Sequence, residues 1–367
     1  MGTIRILLAL AIVLQHTPAW VPIRLPPSLC VQMFFAISGF YMCFILSKKR
    51  SYQNPFKFWF NRFLRLYPSY VFIIALTVVV SLAYIWTGQA QNYPYILFNN
   101  YIKYFGELNF SQITVIIISQ ITMLFQDLFL FLGIDVTNNS FFFIENVHDP
   151  ALNLWEFLLI PQGWSISLEI SFYALCPFLI KLETKWLYLL ILSSLAARGF
   201  LGYYGFSDDP FNYRCFPLEI SNFLLGFIAY KELYLNLNNT RDKLKHNIKK
   251  IMIWNLVPIS VISYFIGIET AIYLILVVCF ACSIPFFFEK TKNMHYDREI
   301  GNLSYPIYIN HCIVIPISIA SLRFVGINEN FLLIPVVIIS ITLALMMVKY
   351  IEQPIEKFRQ QISTGRT

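Results

Sequence analysis

Charge is scarce in this sequence. Asp, Glu, Lys and Arg make up 13% of its 367 residues, about half their share in a soluble domain. That excludes a chain that keeps most of its surface in water. No polar linker is long enough to separate two soluble domains, and no internal repeat or low-complexity tract is present. The seven cysteines lie in or beside apolar runs and form no disulfide framework. Cys279 and Cys282 have the spacing of a redox pair but lack its strand-to-helix context, so they are expected to be packing residues. No basic segment precedes the first apolar run and no small-residue cleavage site follows it, so the N-terminus is not expected to be a cleavable signal.

Hydrophobic residues are what the chain has in excess, at 57% with a mean hydropathy of +0.62. Runs of about 17–25 residues are long enough to span a bilayer. They fall near 4–20, 29–46, 66–87, 164–181, 185–201, 215–231, 250–268, 270–288, 302–323 and 331–350. An eleventh, near 113–132, is interrupted by Gln120, Gln126 and Asp127. The stretch 48–65 has six basic residues and no acidic one, which marks it as cytoplasmic. If 113–132 does not cross, all but five of the 27 Lys and Arg fall on that side; the exceptions are Arg24, Lys103, Arg198, Arg214 and Arg323. The expectation is therefore an all-α polytopic bundle of about ten transmembrane helices with both termini cytoplasmic. It forms one membrane domain over 1–367, with an outer region 88–163 holding a re-entrant or interfacial helix near 113–132. Within that outer region, Glu145, His148 and Asp149 offer too few ligands in register for a metal, and a solvated loop is expected.

Polar residues inside apolar runs need explaining, because an ionisable group in lipid is costly unless it faces a cavity or a partner. Arg5 and His16 are eleven residues apart in the first run, within about 20° of one helix face and about 16 Å along it. Glu169 lies about two turns inside its run, on a face with Ser165 and Phe172, and a His16–Glu169 pair would orient the imidazole and stabilise its cation. Ser38-Gly39 permits close approach of a neighbouring helix or lines a channel. Arg62 and Arg65, three apart, suit a bidentate phosphate clamp, against the plainer reading of lipid-headgroup contact. Ser304, Tyr308 and His311 form one stripe, with His311 expected in the inner half, continuing the polar path below His16. Glu352 before Pro354 marks a helix end at the cytoplasmic face.

These segments together resemble the acyltransferase 3 family. The motifs are Arg-x10-His, Phe-Phe-x-x-Ser-Gly-Phe, Arg-x-x-Arg-x-Tyr-Pro, Trp-Ser-x-Ser-x-Glu-x-x-Phe-Tyr, Ser-Tyr-x-x-Tyr-x-x-His and a terminal Glu-x-Pro, in that order over essentially the whole chain. The start departs from the family's frequent Asp-Gly-x-Arg-Gly lead-in: Met1-Gly2-Thr3-Ile4 precedes Arg5. The resemblance implies an integral membrane O-acyltransferase of a bacterial inner membrane, in stand-alone form without an appended esterase-like domain. It implies acyl-CoA, in the first instance acetyl-CoA, as cytoplasmic donor and a surface or lipid-linked carbohydrate such as lipopolysaccharide as acceptor. His16 and Glu169 are then the expected catalytic pair and Arg5, Arg62 and Arg65 the donor-binding set. Ser38, Trp164, Ser165, Ser304, Tyr308 and His311 line the expected substrate path. Acyl-CoA, the carbohydrate or glycolipid and membrane lipid are the expected partners, with no metal and no nucleic acid. The competing class is a transporter or flippase, in which the same residues line a path without making a bond; a structural subunit leaves His16 and Glu169 unexplained.

Overall fold

A computed structural model of the chain describes residues 1–18, 25–49, 52, 54–87, 98–104, 106–148, 152–237 and 239–364; Arg24 and Asp149 lie outside the described residues. Each of the ten expected apolar runs holds a helix. In chain order these are α1 (Gly2–His16), α2 (Pro27–Lys48) and α3 (Pro55–Trp86), then, after two short helices α4 (Asn99–Tyr104) and α5 (Phe110–Thr122), α6 (Gly163–Leu179), α7 (Thr184–Tyr203), α8 (Phe216–Ile228), α9 (Arg241–Ile266) and α10 (Ile268–Thr291). A short helix α11 (His295–Asn302) leads into α12 (Ser304–Val325), and α13 (Leu333–Met347) leads through a π-helical turn, Val348–Glu352, into α14 (Gln353–Thr364).

Among the described residues, seven segments are long and apolar enough to cross a membrane: α2, α3, α7, α9, α10, His295–Val325 and Leu333–Gln361. The remaining three of the ten, α1, α6 and α8, have 15, 17 and 13 residues. At 1.5 Å per residue α1 and α6 reach only about 22–26 Å, short of a hydrocarbon core about 30 Å thick, whereas α8 runs on directly into a π-helical turn, Ala229–Leu233. Helices α6 and α8 are largely buried. Every α8 residue from Ser221 to Ile228 is buried, as expected of a helix that is apolar all round.

Glycine sets the closest approach. A Cβ on Gly39 of α2 would lie 1.9 Å from the Phe223 carbonyl oxygen, and one on Gly226 of α8 would lie 1.8 Å from that of Ala36. With no side chain at either position the two backbones touch, the small-residue packing that membrane helices use in place of a hydrophobic drive. Phe223 then stacks between Phe35 (4.3 Å) and Phe172 (4.4 Å), tying α2, α8 and α6 together. Helix α1 is held at its start by Asp297 of α11. The Asp297 carboxylate accepts from the backbone N–H groups of Gly2 (2.7 Å) and Thr3 (2.9 Å), donors that a helix N-terminus cannot satisfy internally.

Two features shape the segment between α3 and α6. The helix near 113–132 ends at Thr122, because Met123 and Phe125 adopt positive φ (60° and 62°) and turn the chain back. Its interrupting polar residues face protein: Gln126 donates to the Tyr70 hydroxyl (2.7 Å), Asp127 accepts from Ser167 (2.7 Å), and Gln120 accepts from the Leu159 N–H (3.0 Å). Thirteen residues give α5 a length of about 20 Å, too short to cross. The fold is also not purely helical. An antiparallel hairpin pairs β1 (Leu132–Asp135) with β2 (Ser140–Phe143). Asp135 accepts from the N–H groups of Asn138 (3.0 Å) and Thr137 (2.9 Å) at the turn, which holds its carboxyl below the ordinary range.

Candidate active site

A cavity of about 610 Å³ lies among α1, α2, α3, α6, α11, α12 and α14. At one end it is lined by Lys49, Asn61, Arg62, Arg65, Glu352, Glu356 and Arg359, and it extends past Arg5, Ser38, Glu169 and Tyr173 to Ser165 and Tyr308. Of the expected site residues, Arg5, Ser38, Arg62, Arg65, Ser165, Glu169, Ser304 and Tyr308 line it.

The cations differ in what they can bind. Arg5 is in the second turn of α1, and among the described residues no hydrogen bond or ion pair engages its guanidinium. Arg62 donates to Asn61 Oδ1 (2.7 Å) and lies over the Phe58 ring (5.9 Å), while its buried Nε has no partner. Arg65 is committed: its Nη1 is 2.8 Å from Glu352 Oε2, and Ser69 donates to the other carboxylate oxygen (3.1 Å). Three-residue spacing does present Arg62 and Arg65 to the same cavity, but they do not form a free fork, because the terminal Glu-x-Pro motif supplies the counter-charge to one of them. Arg359 was not legible in sequence. It reaches from α14 to Asn61, donating to Oδ1 (3.0 Å) and to the backbone oxygen (3.2 Å), and pairs with Glu356. Its only local signal was an i, i+3 acid–base pair in a basic tail, which is the pattern of a solvated helix face.

Glu169 takes a hydrogen bond from Ser38 Oγ (2.8 Å) and another from the Tyr173 hydroxyl, one turn along α6. No hydrogen bond or ion pair joins it to His16 among the described residues. The His16 ring has a different neighbour: its centroid lies 4.9 Å from that of His311. The expectation that His311 lies below His16 is thereby corrected. Helix α1 starts against Gly301 and runs alongside α11 and α12, so its fifteen residues end level with the second turn of α12. Helix α12 continues about 21 Å beyond His311.

Tyr308 connects the cavity to this pair. Its hydroxyl is 2.6 Å from Ser165 Oγ, and its ring centroid is 5.9 Å from that of His311. Gln162, just before α6, braces the junction by donating to the Ile309 carbonyl (2.8 Å). His16 is exposed at the end of α1, whereas His311 is fully buried. Trp164 does not line the cavity. Its buried ring lies beneath the Arg214 guanidinium (4.8 Å), and Arg214 in turn pairs with Asp209 (2.6 Å). Ser304 spends its hydroxyl on the Gly301 carbonyl (2.7 Å).

A profile described as an acyltransferase domain matches residues 2–351. An uncharacterized protein of Aquifex aeolicus (strain VF5) is 26% identical over 223 residues, covering 56% of this chain and 91% of that protein. No solved structure matches. The match takes in five of the six motifs, from the α1 pair at its start to the α12 stripe, and ends just before Glu352; the chain belongs to the acyltransferase 3 family of membrane acyltransferases.

Proposed function

We propose that the protein transfers an acyl group, acetyl in the first instance, from cytoplasmic acyl-CoA to a hydroxyl of a surface or lipid-linked carbohydrate. In this reading the chain crosses a bacterial inner membrane ten times with both termini in the cytoplasm, α1, α6 and α8 completing their crossings with the residues that flank them. The observation that carries it is the single cavity that joins a cluster of arginines to the Ser165–Tyr308 junction beside His16 and His311. A volume of about 610 Å³ lies in the range of small-molecule and cofactor sites. Arg5 and Arg62, with donors free of ion pairs, suit the phosphates of the nucleotide end. The extended thiol arm then follows Ser38, Glu169 and Tyr173 inward and brings the thioester to Tyr308.

His16 is the base in this scheme. Its Nδ1 is 2.8 Å from the Ile12 carbonyl, which only accepts, so the proton sits on Nδ1 and Nε2 keeps its lone pair. Being exposed at the end of α1, His16 can meet an acceptor that approaches from the side opposite the arginines. Glu169, bonded to Ser38 and Tyr173, shapes the donor channel rather than holding the imidazole. The test is incubation of purified protein with labelled acetyl-CoA and a crude glycolipid extract. Label should move into glycolipid, and His16→Ala should lower turnover by about 10²–10⁴ while the protein remains folded. Wild type that leaves the glycolipid unlabelled sinks the proposal.

A further inference from the structure

His311 is fully buried, its Nδ1 is 2.6 Å from the Tyr308 carbonyl, and its Nε2 has no partner. Buried polar atoms are nearly always hydrogen-bonded, and one left bare asks for a reason. His16 is wired in the same way, Nδ1 to the carbonyl of its own helix at Ile12. A carbonyl cannot donate, so each imidazole carries its neutral-state proton on Nδ1 and offers a bare Nε2. The ring centroids are 4.9 Å apart at a tilt of 50°, so the two imidazoles are in contact without a hydrogen bond between them. Two neutral rings so arranged have no hydrogen to place between them. One added proton satisfies both, as Nε2–H···Nε2.

We infer that His311 is the proton-sharing partner of His16, a role that rests on the acyl-transfer reading above. It fills the place in which a carboxylate was expected, since Glu169 is taken by Ser38 and Tyr173. The acceptor hydroxyl oxygen attacks the thioester carbonyl carbon, the C–S bond breaks, and its electron pair leaves on sulfur. The hydroxyl proton passes to His16 Nε2, is shared with His311 Nε2, and returns to the thiolate to give the free thiol. Both imidazoles end as they began, and nothing else is consumed. His311 acts through His16 and is a positioning residue, not one that touches substrate. Among the described residues, Arg214, whose charge lies toward His16, and the Tyr308 hydroxyl, held on Ser165, face the pair.

Two variants of the full chain separate this role from packing. His311→Asn keeps an amide N–H where Nδ1 donates to Tyr308 and removes Nε2. His311→Gln puts an amide near the Nε2 position, able to accept a hydrogen bond from protonated His16 but unable to take its proton. With acetyl-CoA and glycolipid, His311→Asn should lower kcat about 100-fold with KM for both substrates within about 3-fold and an unchanged melting temperature; His311→Gln should recover part of the loss. Near-normal kcat in His311→Asn overturns the role, as does a loss that tracks melting temperature or falls on KM alone. A second measurement is independent of transfer. With isotopically labelled histidine nitrogens, the two Nε2 signals should move together as one proton is added, and in His311→Asn the His16 signal should move alone. Two independent titrations in wild type overturn the sharing; shared titration without transfer to glycolipid overturns only the acyl-transfer reading.

Discussion

Arg65 and Glu352 are 287 positions apart in the chain and 2.8 Å apart in space. The contact closes the C-terminal π-helical turn onto the start of α3 and leaves Arg65 less available than Arg62 to a ligand. Glu352 is buried, so removing it deprives a mostly buried guanidinium of its ion-pair partner. Glu352→Ala should lower stability in detergent by about 1.5–3 kcal/mol, the scale of a hydrogen bond to a charged group. The measurement is thermal unfolding, with Arg65→Met/Glu352→Met recovering part of the loss. An unchanged midpoint in Glu352→Ala means the pair holds nothing.

The α2–α8 crossing makes a sharper structural prediction. A methyl group at Gly226 would overlap the Ala36 carbonyl oxygen, a backbone atom that cannot swing aside. Gly226→Ala should sharply reduce the yield of folded, monodisperse protein in detergent, and Gly39→Ala should do the same. Serine at position 38 is one residue away and faces the cavity, so Ser38→Ala should leave the yield intact. Equal yields for Gly226→Ala and Ser38→Ala would contradict the close crossing.

Hydropathy made the ten helices legible, and Ser38-Gly39 read as either a close helix contact or a channel lining; the glycine makes the contact and the serine lines the cavity. What it could not supply was depth. Expecting His311 below His16 assumed that the first run spans the bilayer, whereas α1 has fifteen residues and ends beside the second turn of α12. The Arg65–Glu352 and Arg359–Asn61 contacts join opposite ends of the chain, and no spacing rule reaches across that separation. Glu169 is intermediate: Tyr173 at i+4 was legible as a neighbour on α6, but Ser38 competes for the same carboxylate only once α2 is packed against α6.

Donor binding should separate from chemistry at Arg62. Its guanidinium lines the arginine-rich end of the cavity and has a buried Nε without a partner, whereas Ser165 and Tyr308 lie at the other end. A contact made equally in ground and transition states raises affinity without raising turnover. Arg62→Ala should raise KM for acetyl-CoA about 10–100-fold, taking about 1.5–3 kcal/mol for a charge-assisted bond and a tenfold change per about 1.4 kcal/mol. Turnover at saturating donor should change much less. Lysine should restore only part of the affinity, because the charge returns without the planar fork. Collapsed turnover at unchanged KM would move Arg62 into the chemical step.

Sidedness decides whether donor and acceptor meet His16 from opposite faces. Asn138 is exposed at the turn of the β1–β2 hairpin, and Asn239 is exposed between α8 and α9 next to a strongly basic stretch. If basic segments stay in the cytoplasm, these two positions lie on opposite sides of the membrane. In a background freed of reactive native cysteines, Cys279 foremost because it is exposed, Asn138→Cys should react in intact cells with a membrane-impermeant thiol reagent. Asn239→Cys should react only after the membrane is opened. The same pattern places the Arg62 end of the cavity in the cytoplasm, because 48–65 and 239–250 carry the same basic signature. The reverse pattern would put the arginines outside, where no acyl-CoA is available, and the direction of transfer proposed for this protein would fail with it.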